Sequence, residues 1–105
     1  MPSPGITKNV TVGDSWQRLG TLVNSTYPTE LREGSAIANG CYIYVSAYDV
    51  QVAYGDTAPD LNTGHLLAKG DSTTWDNAAF IRRAWFRNAS AGSAGIMAVT
   101  PIFGL

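Results

Sequence analysis

The chain has 105 residues, one domain's worth, with no room for a cofactor-binding unit beside a substrate-binding one. Seven Lys and Arg against eight Asp and Glu give a net charge of −1 and no field for gathering phosphates; nucleic acid is not expected as a partner. No stretch reaches the roughly 18 apolar residues of a membrane span, and charged residues make up only 14%, against about 25% in an ordinary soluble domain, so something other than charge must cover the surface.

Residues 1–5, Met-Pro-Ser-Pro-Gly, are expected to be an extended arm and not a helix start or a signal peptide. We divide the chain into an arm, 1–8, and a folded domain, 9–105. Ile6, Lys8, Val10 and Val12 alternate with Thr7, Asn9 and Thr11, which predicts a strand whose apolar face carries one lysine. Trp16, Leu19 and Leu22 fit a short helix or an irregular strand, and Gly20, Thr21, Val23 and Thr26 tip the balance toward strand. Residues 27–40 carry Pro28, the charged Glu30, Arg32 and Glu33, and Gly34, and end in the turn dipeptide Asn39-Gly40, so they read as a connection.

Cys41-Tyr42-Ile43-Tyr44-Val45 is the clearest strand signal. It is followed by a second run in which Val50, Val52 and Tyr54 share one face and Gln51 and Ala53 the other. Residues 46–49 are predicted to turn a hairpin between them. After a polar loop over 55–64, Leu66-Leu67-Ala68 and residues 72–75 predict two more short strands. Residues 78–86 suit helix or strand, and 88–95, with Ser90-Ala91-Gly92 and Ser93-Ala94-Gly95, suit a hairpin loop before a closing strand over 96–103. About eight short strands at this spacing predict an all-β, single-domain antiparallel β-sandwich with no more than one turn of helix. Trp16, Ile43, Val45, Phe80 and Phe103 are its expected core.

The common catalytic constellations are missing from the residue pattern. His65 has no nucleophile elbow to serve. Cys41 opens an apolar strand without a positive neighbour, so it reads as a small buried hydrophobe. Asp56 with Asp60, and Asp71 with Asp76, sit in loops where acidic residues ordinarily make turns; Asp56, Thr57, Asp60 and Asn62 could supply some calcium ligands, but the run does not match the EF-hand loop. No catalytic residue, cofactor or metal is expected. Arg82, Arg83 and Arg87 gather around Trp85; we expect their guanidinium groups to pair with neighbouring carboxylates, stacking on bases or sugars being the alternative.

Contact surface is what the composition favours. Three Trp, five Tyr and three Phe stand among abundant Ser, Thr, Asn and Gly, and large rigid rings with little charge suit the centre of an interface. Tyr48 beside a turn and Trp75 in a polar region are hard to bury in so small a domain. With Trp85, Arg83 and the arm residues Pro2, Pro4 and Ile6, they are the expected partner contacts.

Three stretches carry a resemblance. They are the tyrosine-rich strand with Asp49-Val50-Gln51-Val52-Ala53-Tyr54-Gly55-Asp56-Thr57-Ala58-Pro59-Asp60, then Leu66-Leu67-Ala68-Lys69-Gly70-Asp71, and last Ala94-Gly95-Ile96-Met97-Ala98-Val99-Thr100-Pro101. Over about the last two-thirds of the chain this pattern resembles small virion proteins of tailed bacteriophages. The resemblance implies a jelly-roll-like sandwich that decorates or cements a capsid, working as a homo-oligomer, dimer or trimer, on the major capsid protein at the virion surface. It supplies no catalytic residue. A tail, baseplate or head-tail connector component is the alternative within structural proteins; a carbohydrate-binding module displaying Trp75, Trp85 or Tyr48 is the alternative from another class.

Overall fold

Alternating apolar and polar residues sort much of the chain into strands, of which the longer ones bury one side. The computed structural model describes residues 3–4, 7–19, 40–60 and 64–103. In chain order these form β1 (Ser3–Pro4), β2 (Lys8–Thr11), β3 (Gln17–Arg18), β4 (Gly40–Ala47), β5 (Val50–Tyr54), β6 (His65–Leu67), β7 (Ser72–Trp75), helix α1 (Ala78–Arg83), β8 (Ala84–Asn88) and β9 (Ile96–Phe103). Asn39, residues 20–26 and Asn62 lie outside the described residues, as do Pro2 and Ile6, and so does the side chain of Phe103.

Pairing follows one rule. β2 lies antiparallel to β9, β3 to β8, β4 to β7 and β5 to β6. These are the pairs of a single long hairpin with its tip between β5 and β6. Rolling that hairpin up also brings β9 against β4 and β8 against β5. Two sheets result, a larger one with β1 and β2 beside β9 and the order β9-β4-β7, and a smaller one with the order β3-β8-β5-β6. The fold is an antiparallel jelly roll.

Two predicted hairpins turn out to be crossings between the sheets. β4 belongs to the larger sheet and β5 to the smaller, and the same holds for β9 and β8. At the first crossing the register slips between Val45 and Ala47, and Tyr48 takes φ 56°, so a bulge and one left-handed residue bend the chain out of its sheet. A turn in sequence shows that the chain bends; which sheet it enters next depends on the apolar faces it must cover.

Between the sheets lie Val10, Val12, Leu19, Cys41, Ile43, Val45, Val50, Val52, Trp75, Ile81, Ala84, Phe86, Met97 and Val99. Ile43 and Val45 are core as expected. Phe80 is not, standing 46% exposed on α1, edge-on to Tyr54 at 5.6 Å; its neighbour Ile81 points into the core instead. Trp16 is half-buried and lies outside the core, over Gly64. The expected arm is in part paired at home: Ser3–Pro4 adds to Phe103 and Ile102, and Lys8 opens β2 opposite Val99. No helix among the described residues is long and apolar enough to cross a membrane.

Candidate functional site

Alternation fixes what the larger sheet shows to the outside. In β4 the odd-numbered Cys41, Ile43 and Val45 point inward, so Tyr42 and Tyr44 point out, 41% and 40% exposed. Register then builds rows across the sheet. Tyr42 lies between Thr74 and Thr100, and the Thr100 hydroxyl meets that of Thr7 at 2.6 Å. Tyr44 lies between Ser72 and Ala98, and Ala98 opposes Asn9. Ile96 opposes Thr11 and Ile102 opposes Pro4. None of these outward positions is charged. The result is a neutral face with two tyrosines at its centre, the composition of an interface core.

The smaller sheet's outer face is occupied by the chain's own loop over 55–60. Trp85 Nε1 donates to Gly55 O at 2.9 Å, Arg18 Nη2 to Asp56 O at 2.6 Å and Trp16 Nε1 to Asp60 O at 3.3 Å. Beneath these bonds Arg18 stacks on Trp85, 4.9 Å from the ring centre, and Arg87 on Trp16 at 5.3 Å. Ala53, which shares this face, is buried even though it points away from the core. At the loop's edge the Arg83 guanidinium meets the Asp56 carboxylate at 3.2 Å, both exposed. Of the three clustered arginines, Arg83 therefore does pair with a carboxylate, one supplied by the same chain; Arg87 instead lies over Trp16, and the side chain of Arg82 lies outside the described residues.

At one end of the sandwich the β4–β5 corner, the β6–β7 turn and the β8–β9 connection border an open cleft of about 230 Å³ lined by Tyr48, Asp49, Lys69, Ser90 and Ser93. The Lys69 amide donates to Asp49 Oδ1 at 2.8 Å and the Ala89 amide to Asp49 O at 3.1 Å, so one residue ties the three connections together. Next to it Asn88, buried at the end of β8, donates from Nδ2 to the Asp14 carboxylate at 2.8 Å and accepts from the Gly95 amide at 2.8 Å. The Asn88 bond, then that from the Gly92 amide, holds the Asp14 carboxyl below its ordinary value.

The expected contact residues separate in space. Pro4 is exposed and lies on the neutral face, and Tyr48, 58% exposed, lines the cleft. Trp75, expected at a contact surface, is instead core: it is 5% exposed, faces inward from β7 and donates its indole N–H to Tyr54 Oη at 3.0 Å. A polar segment can bury a tryptophan when one face of its strand meets the opposite sheet, here at Phe86. Trp85 is half-buried beneath the 55–60 loop, and Arg83 sits at that loop's edge. Tyr42 and Tyr44 were missed as contacts, although their parity opposite Cys41, Ile43 and Val45 was the available signal.

Among the described residues no three of His, Cys, Asp and Glu come together as a metal would require. Burial pushes the Cys41 thiol up to about 12, far from a reactive thiolate. His65 opens β6 opposite Val52, exposed. Comparison with protein-family models, with curated proteins and with solved structures gives no match for this chain.

Proposed function

We propose that the chain is a non-enzymatic structural subunit of a virus particle, a cement protein that attaches to the major capsid protein of a tailed-phage head through the outer face of the larger sheet. The neutral, tyrosine-centred face carries this reading. A solvated sheet face ordinarily presents charge, whereas this one offers Thr, Ser, Ala and Ile around Tyr42 and Tyr44, which lose little on desolvation and place two rigid rings at the centre. The jelly roll is the kind of fold that the resemblance to small virion proteins implies.

Size decides how attachment must work. Strands about 4.8 Å apart, two of eight residues (β4 and β9) and two of four (β2 and β7) at about 3.3 Å per residue, make a face of about 400 Å², below the roughly 800 Å² per partner of a standard interface. One copy held through this face alone binds weakly. Self-association into a dimer or trimer would supply the remaining strength by avidity.

The test mixes the purified protein with undecorated heads of the phage whose genome carries this chain. Wild type is expected to sediment with the heads, and Tyr44→Arg to bind about tenfold more weakly or worse while melting like wild type. Equal binding by the variant would remove the face from the reading. Partition of the protein with purified tails instead of heads would overturn the cement role.

A further inference from the structure

We propose that the cleft between Tyr48 and Ser93 binds a sugar. One pyranose ring stacks on Tyr48, its hydroxyls meet Asp49, Ser90 and Ser93, and Lys69 takes an acidic substituent where one is present. This site lies at the loop end of the sandwich and stands independently of the neutral sheet face.

Tyr48 is the starting observation. Its φ of 56° is a backbone conformation that glycine or asparagine adopts with less strain than an aromatic residue. The β4–β5 corner requires that conformation, but it does not require a ring. Burial does not compensate either, because the residue is 58% exposed. Neither the corner nor the core accounts for a tyrosine here. What the ring adds is a rigid apolar face beside polar groups, the pairing that a sugar's C–H face and hydroxyl edge match.

The rest of the cleft is already set. Asp49 Oδ1 accepts from the Lys69 amide and Asp49 O from the Ala89 amide. Beyond these, Asp71 Oδ2 accepts from the Ala68 amide at 3.0 Å, and the Ser93 amide donates to Ser90 O at 3.1 Å. Ordering is therefore done before a ligand arrives, which lowers the cost of binding. Volume limits the ligand: about 230 Å³ is less than the roughly 300–1,000 Å³ of sites for drug-sized molecules, and suits a single ring. The donors and acceptors are mixed, two hydroxyls that both donate and accept, a carboxylate and one ammonium. A phosphate would meet one cation with a carboxylate beside it, a poorer match than a ring of hydroxyls.

Saturation-transfer NMR on the full chain, with N-acetylglucosamine and glucuronic acid as probes, tests the proposal. Transfer to the ring protons of at least one sugar is expected. Tyr48→Asn should weaken it about tenfold or more while melting at or above the wild-type temperature, since asparagine suits the left-handed corner. Lys69→Met should weaken only the glucuronic acid signal. No transfer from either sugar, or undiminished transfer to Tyr48→Asn, would overturn the site. So would a Tyr48→Asn protein that melts well below wild type, because the ring would then be part of the corner.

Discussion

Three residues at the β8–β9 end show how much of this fold is decided by single atoms. A Cβ on Gly95 would overlap Val50 Cγ2, so the connection passes too close to the core for any side chain. Gly95→Ala is expected to cost about 1–3 kcal/mol, as overpacking does, measurable as a lower midpoint in urea. Its neighbours Asn88 and Asp14 make stability depend on acid. The folded Asp14 carboxyl titrates below its ordinary 3.8, so its contribution is complete above that value and is lost as the pH falls through the lower folded value. Asp14→Asn should narrow the gap to wild type steadily below pH 3.8, and a gap constant down to acid unfolding would show that the Asn88 and Gly92 bonds contribute nothing. Cys41, with its thiol at about 12, should react with a thiol reagent only at the rate of global opening. The apolar setting of Cys41 was legible from the strand around it. The tie between Asp14 and Asn88 was not, because 74 residues separate partners that only the rolled-up hairpin brings together.

Elements were read well where one period dominated and poorly where two coincided. β4 alternates over enough residues to admit one interpretation, and its inward face is the one predicted; in β5 Val50 and Val52 face inward as predicted, but Tyr54, placed with them, is 42% exposed and Ala53, placed opposite, is buried. Residues 78–86 allowed helix and strand together; the structure uses both, α1 through Arg83 and β8 from Ala84. The switch falls where Ala84 meets Tyr54 in the sheet, a pairing that no local pattern contains. The 55–60 loop is likewise held by distant groups: the Trp85 and Trp16 indoles and the Arg18 guanidinium all donate to its carbonyls. Trp85→Leu removes one of those bonds and the stack with Arg18, a contact of about 0.5–2 kcal/mol. Limited proteolysis within residues 55–60 should then become faster, whereas an unchanged rate would mean that the remaining two bonds suffice.

At the scale of the molecule, the first and last strands lie side by side. Lys8 opposes Val99 and Ser3 opposes Phe103, so the larger sheet joins segments some 90 to 100 residues apart. Such long-range pairing places folding in the range of milliseconds to seconds. Deleting residues 1–8 removes β1 and the first residue of β2. The melting temperature should fall by about 4–8 °C for each kcal/mol of pairing lost, read by calorimetry. Unchanged melting together with weakened attachment to heads would instead show that the segment serves a neighbour.

Composition and alternation by themselves determined that this is a single all-β domain, that Ile43 and Val45 are core and that little charge is left to cover the outside. These properties are local or additive, so a linear sequence holds them. Tertiary structure decided which strands pair, which turns cross between sheets, and which aromatic rings reach the surface. Trp75, Trp85 and Tyr44 all sit on strands, yet the first faces the opposite sheet, the second lies under a loop and the third stands open. Exposure depends on what else the chain brings to the same place, and in a jelly roll that is settled by segments far away in sequence.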